Sequence, residues 1–255
     1  LEVHDLTVAY QRRSVLWGVD VTIGAGQLVG LIGPNGAGKS TLIRACMGLL
    51  PPVSGYVRLF GKPLAETLHR VGYVPQRESV DWDFPVTVED VVAMGRYGRA
   101  GLFRRLSKAD RERIAESLDR VQMLPYARRQ IGNLSGGQQQ RVFLARALAQ
   151  DADLYFMDEP FVGVDAATEA AIIELLRSLR ERGRTIIVVH HDLPTAKSYF
   201  DHLLLLNLRV IAYGPTEEVF TAELLQRTYG GRLNILADVA AQMGPRLRPG
   251  RGKET

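Results

Sequence analysis

The chain changes hydrophobic period along its length, and the order of the changes predicts its elements. Residues 2–10 carry Val3, Leu6, Val8 and Tyr10 in a strand pattern. Val19 to Ile23 predicts a second short strand, and Gly24-Ala25-Gly26 predicts a turn. Leu28-Val29-Gly30-Leu31-Ile32 is apolar throughout, as a strand covered on both faces is. The spacing of Leu42, Ile43, Ala45, Cys46 and Leu49 is helical. Gly55 to Phe60 and Val71 to Pro75 return to strand. Residues 77–85 have no period and carry Trp82 and Phe84. Thr87 with Asp90, and Ser107 with Asp110, are capping boxes that open two helices, with a turn predicted between them at Gly95 to Gly101. Ile114, Leu118 and Val121 form the apolar stripe of the second. Ser135 predicts the N-cap of a further helix with Val142, Ala145 and Leu148 on one face. Leu154 to Met157 reads as a buried strand, Thr168 to Arg182 as a helix, Thr185 to Val189 as a β-branched strand, and Leu203 to Leu206 with Val210 to Tyr213 as a hairpin.

This is an α/β pattern in which a run of helices, residues 87–149, interrupts the alternation. The expected organisation is a core from residues 1–86 and 150–228 that includes a β subdomain. The helical insertion covers 87–149, and a Gly/Pro/Arg-rich tail, partly disordered, covers 229–255. No internal repeat is present.

Composition narrows the class. The 255 residues are 46% hydrophobic and 24% charged, enough for one large domain with an insertion and unlike a disordered chain. The net charge is +4, but Arg246, Arg248, Arg251 and Lys253 lie in the tail against Glu254 alone. The body is therefore nearly neutral, which argues against a nucleic-acid surface. The single cysteine, Cys46, excludes an internal disulfide and reads as a buried structural thiol. No apolar run approaches a membrane span, and Leu1-Glu2-Val3-His4-Asp5 has neither a basic region nor an apolar signal core. These features predict a chain that is cytoplasmic or peripheral to the cytoplasmic face of the cell membrane.

Gly33-Pro34-Asn35-Gly36-Ala37-Gly38-Lys39-Ser40-Thr41 matches the phosphate-loop pattern G-x-x-x-x-G-K-S/T, between a predicted strand and a predicted helix. Glycines let successive N–H groups turn inward at phosphate oxygens, and the helix N-terminus adds partial positive charge. Lys39 would reach the β- and γ-phosphates of ATP, and Ser40 would ligate Mg²⁺. A buried strand delivers Asp158 to the same sheet edge, where it would hold Mg²⁺ directly or through water. Glu159, next to it, is free to polarise an attacking water. Leu134-Ser135-Gly136-Gly137-Gln138 offers a second anion cradle, a Ser hydroxyl and glycine amides at a helix N-terminus. One γ-phosphate does not need two distant cradles from one chain. A head-to-tail homodimer, with each nucleotide held between one phosphate loop and the other chain's Ser135, explains both. His190-His191-Asp192 invites a metal reading, but adjacent strand residues point to opposite faces and would not share an ion.

With these residues in view, the chain resembles the nucleotide-binding subunit of an ABC transporter, from residue 1 to about 228. The resemblance implies a P-loop NTPase core of ABC ATPase type with an antiparallel β subdomain and an inserted α-helical subdomain. It implies that Tyr10 stacks on adenine, and that Gln76 contacts Mg²⁺ and responds to the γ-phosphate. It also implies that Ser135, Gly136, Gly137 and Gln138 form the signature. Asp158 becomes the magnesium aspartate, Glu159 the catalytic glutamate and His191 the switch histidine. Gly163-Val164-Asp165 takes the place of the loop that crosses the dimer interface, where the family's commoner form is Ser-Ala-Leu-Asp; Asp165 itself is kept.

Residues 76–85, Met94 to Gly98, Pro160 to Ala166 and Val189 to Leu193 are similar to the ATPases of manganese, zinc and iron importers. That similarity implies transmembrane permease subunits docking near 77–105 and a separate extracytoplasmic metal-binding protein. Trp82 and Phe84 would be apolar anchors, and the arginines at 96, 99, 104 and 105 would face lipid headgroups or solvent. The alternatives are an importer of iron–siderophore or cobalamin, a soluble ABC ATPase of DNA repair or translation, and a non-enzymatic nucleotide sensor. The intact Glu159 and His191 argue against the sensor.

Overall fold

A computed structural model of the chain describes residues 1–10, 13–77, 80, 82, 84–100 and 105–230. Within them the chain runs β1 (Glu2–Tyr10), β2 (Arg13–Thr22), β3 (Leu28–Ile32), α1 (Lys39–Cys46), β4 (Ser54–Leu59), β5 (Lys62–Pro63), α2 (Leu64–Thr67) and β6 (Val71–Val74). Three helices follow, α3 (Val88–Ala100), α4 (Lys108–Arg120) and α5 (Gly136–Gln150). The chain then continues through β7 (Leu154–Asp158), α6 (Ala166–Glu181), β8 (Thr185–His190), α7 (Leu193–Tyr199), β9 (His202–Asn207), β10 (Arg209–Pro215), α8 (Thr216–Val219) and α9 (Ala222–Tyr229).

Two sheets result. One is antiparallel, in the order β2-β1-β4-β5, and the other runs β10-β9-β3-β8-β7-β6. In the second sheet every pairing is parallel except that of β10 with β9. The central strands β3, β7 and β8 are buried at every position, which is why their sequences are continuous apolar runs rather than alternating ones. Their alternation is instead between two cores. Leu28, Ile32, Ile186, Val188, Leu203 and Leu205 face the core shared with α3 to α6. Val29, Leu31, Ile187, Val189, Leu204 and Leu206 face the core shared with α1 and the antiparallel sheet, through Val3, Leu6, Val8 and Leu16. The sheet is thus a buried middle layer, and its C-terminal edge is where loops can gather.

The sequence-based reading differs from the structure in several places. β2 starts at Arg13, earlier than the apolar pattern implies, because it is drawn into a ladder with β1 that pairs Tyr10 with Arg13. α1 stops at Cys46, and Leu49 is exposed. The turn expected at Gly95 to Gly101 is absent up to Ala100, because α3 continues through Gly95 and Gly98. Gly95 is a contact residue: a Cβ there would stand 2.3 Å from the Arg146 carbonyl oxygen of α5, so the two helices meet backbone to backbone. Arg96, expected to face lipid or solvent, does neither. It pairs with Asp110 at 2.8 Å, both side chains 13% exposed, and donates to the Ala149 carbonyl at 2.8 Å, which ties α3 to α4 and α5. Arg105 is exposed, while Arg104 and the side chain of Arg99 lie outside the described residues. So do Glu78, Ser79, Asp81 and Asp83 of the importer-like stretch, and residues 231–255 of the expected tail. Tyr229, assigned to that tail, is the last residue of α9. Both capping boxes form as read: the Thr87 and Asp90 side chains each accept from the other's backbone N–H, at 3.2 and 3.0 Å, and Ser107 and Asp110 do the same.

Candidate active site

The C-terminal edge of the parallel strands opens into a cavity of about 900 Å³. It is lined by the whole segment from Gly33 to Thr41, then Gln76, Glu159 and His191 from three other strand ends, with Val15, Val162 and Tyr229. Strand order explains the convergence: β3 delivers the loop, β8 beside it delivers His191, β7 delivers Glu159 and β6 delivers Gln76.

The loop takes its shape from two left-handed glycines, Gly36 (φ 81°) and Gly38 (φ 93°), the second of which is the N-cap of α1. Lys39 is buried; its Nζ donates to the carbonyls of Gly33 at 2.7 Å and Pro34 at 3.0 Å. Burial lowers the Lys39 pKa, and Glu159 and Asp158 work against that shift. Ser40 Oγ donates to Asp158 Oδ1 at 3.2 Å. Asp158 is buried, and desolvation raises its pKa against the opposing pull of Ser40, Arg44 and Lys39. A hydroxyl and a desolvated carboxylate in contact, both hard oxygen donors, fit a small divalent cation such as Mg²⁺.

Glu159 sits at φ 54°, a conformation that costs a non-glycine residue on the order of 1–3 kcal/mol and is retained where the surroundings impose it. Its Oε2 accepts from Gln76 Nε2 at 3.3 Å, so these two cavity residues are already joined. His191 is exposed and lines the cavity, while His190 is 2% exposed and is not among the lining residues; the two rings stand 6.0 Å apart, centroid to centroid. The His190 ring is surrounded by Phe161, Tyr199 and Phe200 at 5.3–5.9 Å. Its Nε2 lies 2.8 Å from Thr195 Oγ1, which in turn donates to Asp192 Oδ2 at 2.8 Å. The His190 Nε2 is thus engaged by Thr195 rather than free to share an ion with His191. Among the described residues no group of three or more His, Cys, Asp or Glu side chains is placed to hold a metal ion.

Other predicted residues stand outside this cavity. Ser135, exposed, caps α5: its Oγ accepts from Gln138 N at 3.4 Å, and Gln138 Oε1 accepts from Ser135 N at 3.0 Å. Gly136 and Gly137 open α5, with Gly137 facing the Gly163-Val164 loop. Asp165 caps α6, accepting from Thr168 N at 2.8 Å. Tyr10, 41% exposed, ends β1. Sequence reasoning missed Val15, Val162 and Tyr229. The helical spacing of Leu224, Leu225, Thr228 and Tyr229 was the available signal for the last, whose buried hydroxyl is pushed up to about 12 by desolvation.

Cys46 is buried, and its thiol is likewise pushed up to about 12, so it is a packing residue. No helix among the described residues is long and apolar enough to cross a membrane.

Comparison with known proteins gives the family. The profile of the ABC transporter family matches residues 16–162. The manganese transport system ATP-binding protein MntB of Bacillus subtilis is 60% identical over 238 residues, covering 93% of this chain and 95% of that protein. The zinc transport system ATP-binding protein TroB of Treponema pallidum is 60% identical over 234 residues, covering 92% and 88%. Among solved structures, an inward-facing putative metal-chelate type ABC transporter aligns with TM-score 0.78 and 26% identity, covering 89% of this chain and 87% of that one. A dimeric ATP-binding cassette bound to ADP and Pi, in a post-hydrolysis state, aligns with TM-score 0.75 and 27% identity, covering 84% and 98%.

Proposed function

Since the chain belongs to the ABC transporter family, as an ATP-hydrolysing subunit coupled to transport, we propose that it powers the import of a divalent metal ion, manganese foremost, with zinc or iron as variants. The observation that carries the chemistry is the single cavity in which the phosphate loop, Gln76, Glu159 and His191 meet. Gly33 to Thr41 cradle the triphosphate with backbone N–H groups. Lys39 exchanges its bonds to its own loop for phosphate oxygens. Ser40, Asp158 and Gln76 would hold Mg²⁺, which neutralises charge on those oxygens when bound. Glu159 orients and deprotonates the attacking water, and His191 contacts the γ-phosphate from β8. Tyr10 stacks on the adenine.

Ser135 to Gln138 lie on a different element from this cavity, and the solved relative with ADP and Pi is a dimer. Both support a homodimer in which each nucleotide is closed over by the partner's signature, with Asp165 at the interface. The chain divides accordingly into a core of 1–86 and 150–228 and a helical signature subdomain of 87–149.

The permease subunits dock near residues 77–105, where the core passes into that helical block. Val80, Trp82, Phe84, Val86, Val91, Met94, Ile131 and Phe143, with Arg146, line a mostly apolar cavity of about 200 Å³, and Phe84 is 58% exposed. Such docking keeps the chain peripheral on the cytoplasmic face, and a separate metal-binding protein captures the cargo outside. The putative metal-chelate type transporter supports a chelated-metal cargo, but at 26% identity it weighs less than two metal-ion systems at 60%. The test is ATPase activity of the complex reconstituted with its permease and capture protein. Stimulation by Mn²⁺-loaded or Zn²⁺-loaded capture protein is expected; stimulation only by an iron chelate or a cobalamin would overturn the metal-ion reading.

A further inference from the structure

The cavity and the signature helix are joined by one side chain to which nothing so far assigns a role. Arg77 follows Gln76 directly. Its Nε and Nη2 both donate to Gln139 Oε1, at 3.3 and 3.2 Å. Gln139 is 4% exposed on the first turn of α5, and its own Nε2 donates to the Ile131 carbonyl at 3.2 Å. The guanidinium also lies on Gly136: a Cβ there would stand 2.9 Å from Arg77 Cζ. On its other side the Arg77 carbonyl accepts from Trp82 Nε1 at 3.0 Å, and Trp82 packs edge-on against Phe143 of α5, ring centroids 5.1 Å apart.

A cation against a helix N-terminus opposes the helix dipole, so this placement is not one that stabilises α5 electrostatically. What it supplies is connection. Gln76 is bonded to Glu159, Arg77 is the next residue, and Arg77 holds the turn that carries Ser135 and Gly136. A planar fork with two donors on one buried acceptor resists rotation as a single ammonium contact does not.

We infer that Arg77 is a positioning residue that links Gln76 in the cavity to the N-terminus of α5, so that occupation of the γ-phosphate site sets the orientation of the signature loop within the same chain. The inference rests on the reading of Gln76 and Glu159 as parts of the ATP site. It assigns the glycine at 136 a second purpose, which is to admit the guanidinium.

Amide hydrogen exchange on the full chain tests the link, using a non-hydrolysable ATP analogue with Mg²⁺ at a concentration where sedimentation shows a monomer. Residues 33–41 report nucleotide binding, and residues 135–140 report the signature turn. In the parent chain the analogue slows exchange several-fold in both segments. In Arg77→Met the response at 33–41 is kept, while that at 135–140 falls below about two-fold. Gln139→Leu reproduces the Met result, and Arg77→Lys restores part of the response. A full response at 135–140 in Arg77→Met or in Gln139→Leu overturns the link. Loss of the response at 33–41 in the parent overturns the nucleotide-site reading, and the inference with it.

Discussion

Acid should loosen this protein through one histidine that does no chemistry. His190 ends β8, 2% exposed, with three aromatic rings around it. Thr195 Oγ1 gives its only proton to Asp192, so it accepts from His190 Nε2–H. Desolvation is the main cause that lowers its pKa from 6.5 to about 4, with the neighbouring His191 acting in the same direction and Asp192 pulling the other way. The unfolded chain takes up this proton near the ordinary value, the folded chain only near the lowered one. Between the two values the unfolded state holds more protons, so the contribution to stability is fully present above the unfolded value and is lost as pH falls through the folded one. Between about pH 7.5 and pH 5 the loss from this group alone is about 2 kcal/mol. Other groups titrate in the same window, so the measurement is a difference. His190→Gln keeps an N–H for Thr195 and cannot titrate. Urea unfolding of both proteins across this range should give free-energy curves that diverge by about 2 kcal/mol at the acid end, with the parent losing more. Parallel curves would refute the buried neutral histidine.

Two further outcomes follow from the same geometry. Glu159→Gln should leave ATP affinity within a few-fold of the parent, lower turnover by at least about 10²-fold and trap an ATP-bound dimer on gel filtration; near-normal turnover would remove Glu159 from its role as base. Gly95→Ala pits two effects against each other. Helix propensity alone predicts a gain of about 1 kcal/mol, whereas a Cβ 2.3 Å from the Arg146 carbonyl must push α3 off α5, at a cost of about 1–3 kcal/mol. Destabilisation in urea is expected, and a more stable variant would contradict the close approach.

The parts of this structure that were legible in the sequence are those written in local chemistry. The Thr87–Asp90 and Ser107–Asp110 boxes and the Ser135 N-cap form within four residues of chain, and the sequence shows the residues that make them; that Gln138 closes the last into a box came from the structure. The phosphate loop is likewise contiguous, and its glycines, lysine and hydroxyl arrive together in the cavity. Gly95 misled because a glycine signals a turn locally, while its actual constraint, the Arg146 carbonyl, is set by helix packing. Arg96 looked like surface charge because its partners, Asp110 and Ala149, are 14 and 53 residues away. Val15 and Tyr229 reach the cavity from opposite ends of the chain, and only the folded sheet brings them to it. The Arg77–Gln139 contact spans 62 residues and has no motif of its own.

The central claim is that the phosphate loop is half of an ATP site and that Ser135 of a second chain completes it. Complementation between two inactive variants tests this directly. Lys39→Ala removes the loop's cation, and Ser135→Arg fills the signature cradle; each homodimer should be inactive. In a mixed dimer, one site combines the intact loop of the Ser135→Arg chain with the intact Ser135 of the Lys39→Ala chain. With random mixing, half of the dimers carry one such site of two, so single-turnover ADP formation should recover to about a quarter of the parent level. If each chain holds its own complete site, mixing restores nothing, and a mixture as inactive as its two components would contradict the account.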